Sequence, residues 1–115
     1  MDEIKAIFHV DELHKWGIVL KNVSNLLNAV DIEKVDIEVL ANGEAVKGCI
    51  LDSDKKILAS MQELSEKGVK FVACNNALNS NNIKKEELMK FIDIVPAGAL
   101  ELVIKQNQGY AYIKP

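Results

Sequence analysis

IKAIFHVDELHKWGIVLKNVSNLLNAVDIEKVDIEVLA, residues 4–41, changes its hydrophobic rhythm twice. Residues 4–10 are a short, nearly continuous apolar run. Asp11 follows as an N-cap, and Leu13, Trp16, Val19, Leu20, Val23, Leu26, Leu27 and Val30 then recur at the spacing of one helix face. Residues 35–41 return to β-branched residues and stop at Asn42-Gly43, a turn-forming pair. Strand, helix and strand in that order make a βαβ unit, whose two strands run parallel.

The rest of the chain extends the same alternation. Ser53 is placed to cap a helix carrying Ile57, Leu58, Met61 and Leu64 on one face, with Gly68 as its left-handed terminator. A third strand is expected at 69–73, an Asn-rich loop at 75–82 and a short helix over Glu86–Lys90. A fourth strand at 92–95 ends before Pro96. Leu100, Val103 and Ile104 then mark a helix closed by Gly109, and residues 110–113 a last strand. Short apolar strands alternating with helices predict an α/β fold, a mainly parallel sheet with helices on both faces. The stretches 42–52 and 75–85 are long for loops and are candidate site elements.

Composition bounds the function. The 115 residues are 49% hydrophobic and 27% charged, with six Gly, two Pro and two Cys, as expected of one soluble domain over 1–115. Fourteen basic against seventeen acidic residues give a formal charge of −3, without the basic stripe that a nucleic-acid backbone requires. No run of about 18 apolar residues predicts a membrane span, and the opening MDEIKAIF does not resemble a signal peptide, so the expected location is the cytoplasm. Cys49, Cys74, His9 and His14 form no metal-ligand spacing, so no metal is expected, and no motif calls for a cofactor.

In an open parallel sheet, ligands bind beyond the carboxyl ends of the strands. The residues there are His9, Asn42 with Gly43, Cys74 with Asn75 and Asn76, and Pro96, Ala97 and Gly98. Cys74 is the candidate nucleophile, because it ends a buried strand and precedes amides that would donate to an anion if a helical turn starts there. The alternative is a structural cysteine, since cysteine is among the most buried residue types. His9 is a candidate acid/base or a satisfied core histidine. Asn42, Asn75, Asn76 and Gly98 are candidate ligand contacts. Cys49, in the 42–52 loop and expected to be exposed, ranks second among the thiols.

DIEVLANGEAV at 36–46, GVKFVACNNAL at 68–78 and VPAGALELVIKQNQGYAYIKP at 95–115, with KAIFHVDE at 5–12, resemble the DsrE/DsrF-like family of YchN-like fold. The resemblance implies a three-layer α/β/α sandwich on a five-stranded sheet and assembly into homo-oligomers, trimers or hexamers. It also implies a sulfur carrier that holds a persulfide on Cys74, takes sulfur from a donor, and passes it to an acceptor protein or small thiol without a cofactor. The competing expectation is an oligomeric small-ligand or nucleotide-binding module using the same strand ends, with Cys74 only lining the pocket.

Overall fold

The structure, a computed structural model, describes residues 3–115; Met1 and Asp2 of the expected domain lie outside the described residues. Five strands, β1 (Ile4–Val10), β2 (Val35–Ala41), β3 (Lys70–Cys74), β4 (Ile92–Val95) and β5 (Ala111–Ile113), form one sheet in the order β4-β3-β2-β1-β5. Every neighbouring pair is parallel. The helices are α1 (Trp16–Ala29), α2 (Lys55–Glu66), α3 (Asn75–Ser80) and α4 (Gly98–Asn107). The α/β class and five-stranded parallel sheet follow the expectation.

Side-chain alternation divides the sheet into two unequal faces. Ala6, Phe8 and Val10, Ile37, Val39 and Ala41, and Phe71 and Ala73 join Trp16, Val19, Leu20 and Val23 of α1 and Leu58, Met61 and Leu64 of α2 in the main core. The opposite face carries a far smaller cluster of Ile7, Leu40, Val72 and Tyr110, on which Val95 and Leu102 of α4 pack. The Trp16–Leu20–Leu27 stripe is thus core.

Several local expectations give way to tertiary context. Asp11 does not cap α1: a 3₁₀ turn, Leu13–Lys15, comes first, and the Asp11 carboxylate instead accepts from Lys114 at 3.0 Å. The cap of α2 is Asp54 rather than Ser53, accepting from the N–H groups of Lys56 and Ile57. The 42–52 stretch is not an open loop, because Gly43–Cys49 winds into a 3₁₀ helix whose Ala45, Val46 and Cys49 are buried. Gly43 is required there, with φ at +54° and its Cα so close to the Asp11 carbonyl that a Cβ would stand 2.9 Å from that oxygen. The Asn-rich stretch is likewise helical over Asn75–Ser80, whereas the helix expected at Glu86–Lys90 is a 3₁₀ turn at Lys85–Glu87.

Candidate functional site

Period-two alternation decides which side chains meet at the carboxyl edge of the sheet. His9 shares the parity of Ile7, Asn42 that of Leu40 and Cys74 that of Val72, so all three alternate toward the face that carries α4. Tyr112, paired with Ile7 across β1 and β5, joins them. Parallel strands stand about 5 Å apart, which lets ends of adjacent strands touch.

They touch in a row. Tyr112 Oη lies 2.7 Å from His9 Nδ1, and His9 Nε2 lies 2.8 Å from Asn42 Oδ1. An amide oxygen only accepts, so His9 Nε2 carries the hydrogen and Nδ1 accepts from the Tyr112 hydroxyl. This arrangement turns Asn42 Nδ2 away from the ring and toward Gly98, where a Cβ would lie 3.1 Å from it and 3.5 Å from Cys74 Cβ. Only glycine gives the three residues this close approach.

Cys74 closes β3 and occupies the N-cap position of α3, and its Sγ accepts from the backbone N–H of Gly98, the first residue of α4, at 3.2 Å. Cys74 is buried, at 6% exposure, yet its sulfur is hydrogen-bonded from a helix N-terminus. His9, also largely buried, does not reach it: both ring nitrogens are engaged, and Asn42 stands between. Asn75 and Asn76 open α3 with exposed side chains. His9 borders a polar cleft of about 270 Å³ with Asp11, Lys15 and Lys114, where the Lys114 ammonium draws the Asp11 carboxyl below its ordinary range.

Cys49 corrects the expectation of an exposed second thiol. It is 1% exposed, and burial pushes its thiol up to about 12. Tyr112 is the residue the sequence reading missed. The alternation of Tyr110 and Tyr112 was visible, but only the pairing of β5 with β1 sets the phenol beside His9.

A larger cleft, about 540 Å³, lies among Leu13, Trp16, Gly48, Ile50 and Ile57. Its size does not make it the chemical site, because none of the strand-end residues lines it. Among the described residues no cluster of His, Cys, Asp or Glu is placed to hold a metal, and no helix is long and apolar enough to cross a membrane.

The family model described as DsrE/DsrF-like matches residues 9–115. A protein of unknown function from Methanobacterium thermoautotrophicum, MTH1491, is 31% identical, with a TM-score of 0.89 over 98% of this chain and 100% of its own. YchN from E. coli is 13% identical with a TM-score of 0.79, covering 100% of both chains. A conserved protein of unknown function from Bacteroides thetaiotaomicron, BT1422, is 14% identical at a TM-score of 0.74, over 96% of this chain and 94% of its own. The last two show a shared YchN-like fold. No curated protein has significant sequence similarity to the chain.

Proposed function

The chain belongs to the DsrE/DsrF-like family, and from that premise we propose that it is a cytoplasmic sulfur carrier that holds sulfane sulfur on Cys74. The observation that carries this reading is the hydrogen bond from Gly98 N–H to Cys74 Sγ at the edge where ligands of parallel sheets bind. A donor fixed on the sulfur meets negative charge when the thiol ionises. The amide of Asn42, oriented by His9, adds a second polar group beside Gly98.

The chemistry is thiol exchange. The Cys74 thiolate attacks the sulfane sulfur of a donor such as polysulfide. A new S–S bond forms as the donor's S–S bond breaks, and the leaving group departs with the electron pair. An acceptor thiolate then attacks the outer sulfur of the persulfide, and Cys74 leaves as the thiolate it was. The cycle is redox-neutral and uses no metal or organic cofactor. In this reading His9 and Tyr112 hold Asn42 in register rather than move protons at sulfur.

The same proposal includes a homo-oligomer, trimer or hexamer, in which copies cover apolar surface that one chain leaves open. Leu100, Val103 and Ile104 of α4 are exposed at 52%, 55% and 39%. The test of the carrier function is loading. After incubation with polysulfide, intact mass should rise by one sulfur atom and peptide mapping should place it on Cys74. A Cys74→Ser variant that loads as well as the parent overturns the reading.

A further inference from the structure

Glu38, in the middle of β2, is charged by type and 2% exposed. It belongs to the face under α4, where it pairs in register with Ile7 of β1 and Lys70 of β3. Lys105 Nζ of α4 stands 3.7 Å from Glu38 Oε1. Oε2 is buried and has no hydrogen-bond partner among the described residues if the group is a carboxylate. A buried acceptor with nothing to accept is expensive to maintain.

Glu101, half-buried and one turn before Lys105, lies on the same face of α4 as the lysine that reaches Glu38, and its carboxyl raises that of Glu38 through hydrogen bonding and like charge. Two carboxylates in contact repel, whereas a carboxylic acid donating to a carboxylate forms a strong, short hydrogen bond. One shared proton therefore removes the repulsion and gives the buried carboxyl a hydrogen bond in place of an unmet charge. Apolar packing does little to hold the helix above. Among the residues of α4 only Gly98 is fully buried, and Leu102 is its apolar contact with the small cluster on this face.

We propose that Glu38 and Glu101 share a single proton that clamps α4 to the sheet, seating the helix when bound and loosening it when released to solvent. The other charged groups around the pair are Lys70 from β3, Lys105 from α4, Asp36 on the same strand, and Lys5 from β1. Tyr110 donates to Asp36 at 2.5 Å beneath Lys105. Lys105 and Lys70 favour the ionised form, but burial and the facing Glu101 outweigh them and push Glu38 up to about 8. Gly98 begins α4, so the proton also governs the donor on Cys74. The clamp does not depend on whether that thiol carries sulfur.

The experiment uses the full chain and no sulfur donor. Carbon-detected NMR follows the Glu38 side-chain carboxyl while hydrogen exchange follows the α4 amides from about pH 6 to about pH 9. The expected result is a Glu38 midpoint far above that of an ordinary glutamate. The α4 protection factors should fall by about tenfold or more once the intrinsic rate is divided out, with β1–β3 unchanged. In Glu38→Gln, which keeps a neutral donor, α4 protection should stay level. In Glu101→Gln the Glu38 midpoint should drop, since the like charge is gone. An ordinary Glu38 midpoint, an equal loss of protection in Glu38→Gln, a uniform loss over the whole sheet, or an unmoved midpoint in Glu101→Gln each overturns the clamp. The NMR titration and the Glu101→Gln arm remain decisive if Glu38→Gln does not fold.

Discussion

Two thiols in one small chain are both buried in the main core, and a single hydrogen bond sets them apart. Cys49 is enclosed by apolar neighbours, and burial holds it protonated up to about 12. Cys74 is nearly as hidden but accepts the Gly98 N–H. Alkylation of the native protein at mildly alkaline pH should therefore label Cys74 and spare Cys49 until the chain is denatured, as peptide mapping would show. Labelling of Cys49 first would contradict the burial argument. Tyr112→Phe removes the hydroxyl that His9 Nδ1 accepts from. Its cost in stability should be modest, about 1 kcal/mol, and nitrogen NMR of the ring should show the Nε2–H tautomer losing its dominance. An unchanged ring spectrum would mean that Asn42 alone orders His9. His9, Asn42, Cys74 and Gly98 were recognisable from the sequence, because each lies at or just past the carboxyl end of a strand of the same direction. Tyr112 and the obstruction of His9 by Asn42 were not, because they depend on which strands are neighbours.

Elements were legible where their patterns were strong and failed at their edges. The α1 stripe and the four longer strands follow from hydrophobic period alone. The 3₁₀ segment at Gly43–Cys49 lacked a period of its own and is held by burial of Ala45, Val46 and Cys49 and by the bond from Trp16 Nε1–H to the Ala45 carbonyl. The cap of α2 was misplaced by one residue for a different reason: Ser53 and Asp54 are both competent caps, and the backbone geometry selects Asp54. Asp54→Ala should then lower stability by about 1 kcal/mol in urea unfolding, whereas Ser53→Ala should leave it nearly unchanged. Equal effects would mean that the cap is shared. At the start of α4, Gly98→Ala forces a methyl to within 3.1 Å of Asn42 Nδ2 and 3.3 Å of Asn42 Cβ. This change should reduce Cys74 alkylation more than it reduces the melting temperature, since it displaces the side chains around the sulfur while the core face stays intact.

For the whole molecule, the buried carboxyl sets how stability varies with pH. Glu38 is raised from an ordinary glutamate value to about 8 by burial and by Glu101. Between those limits the folded chain keeps a proton that the unfolded chain releases. Its contribution is thus fully present below the ordinary glutamate range and declines with rising pH, by at most about 1.4 kcal/mol per pH unit. It is gone above about 8. Burial of Cys49 and Tyr110 adds losses of the same sign at still higher pH. Urea unfolding across the neutral range should show stability falling toward alkaline pH in the parent and a flatter profile in Glu38→Gln. A parent more stable at pH 8 than at pH 6 would contradict the sign. Light scattering should give a multiple of the 12.8 kDa chain, and a monomer would remove the oligomer from the proposed function. Neither the buried acid nor the thinly covered second face was apparent in the sequence, where residues 35–41 read only as a β-branched strand in a sheet with helices on both faces.

The strand order β4-β3-β2-β1-β5 also orders assembly in time. As the nascent polypeptide is made, β1 through β4 can associate outward from one another, and the main core closes with them. The other flank of β1 stays vacant until the chain has crossed back through α4 to lay down β5. Cys74 and His9 are thus in place before Gly98 and Tyr112 arrive to engage them. A nascent chain from which β4 has emerged but α4 has not would display a sheet that holds the thiol without its backbone donor, and a histidine free to adopt either tautomer. Competence at this edge is conferred by the late segment.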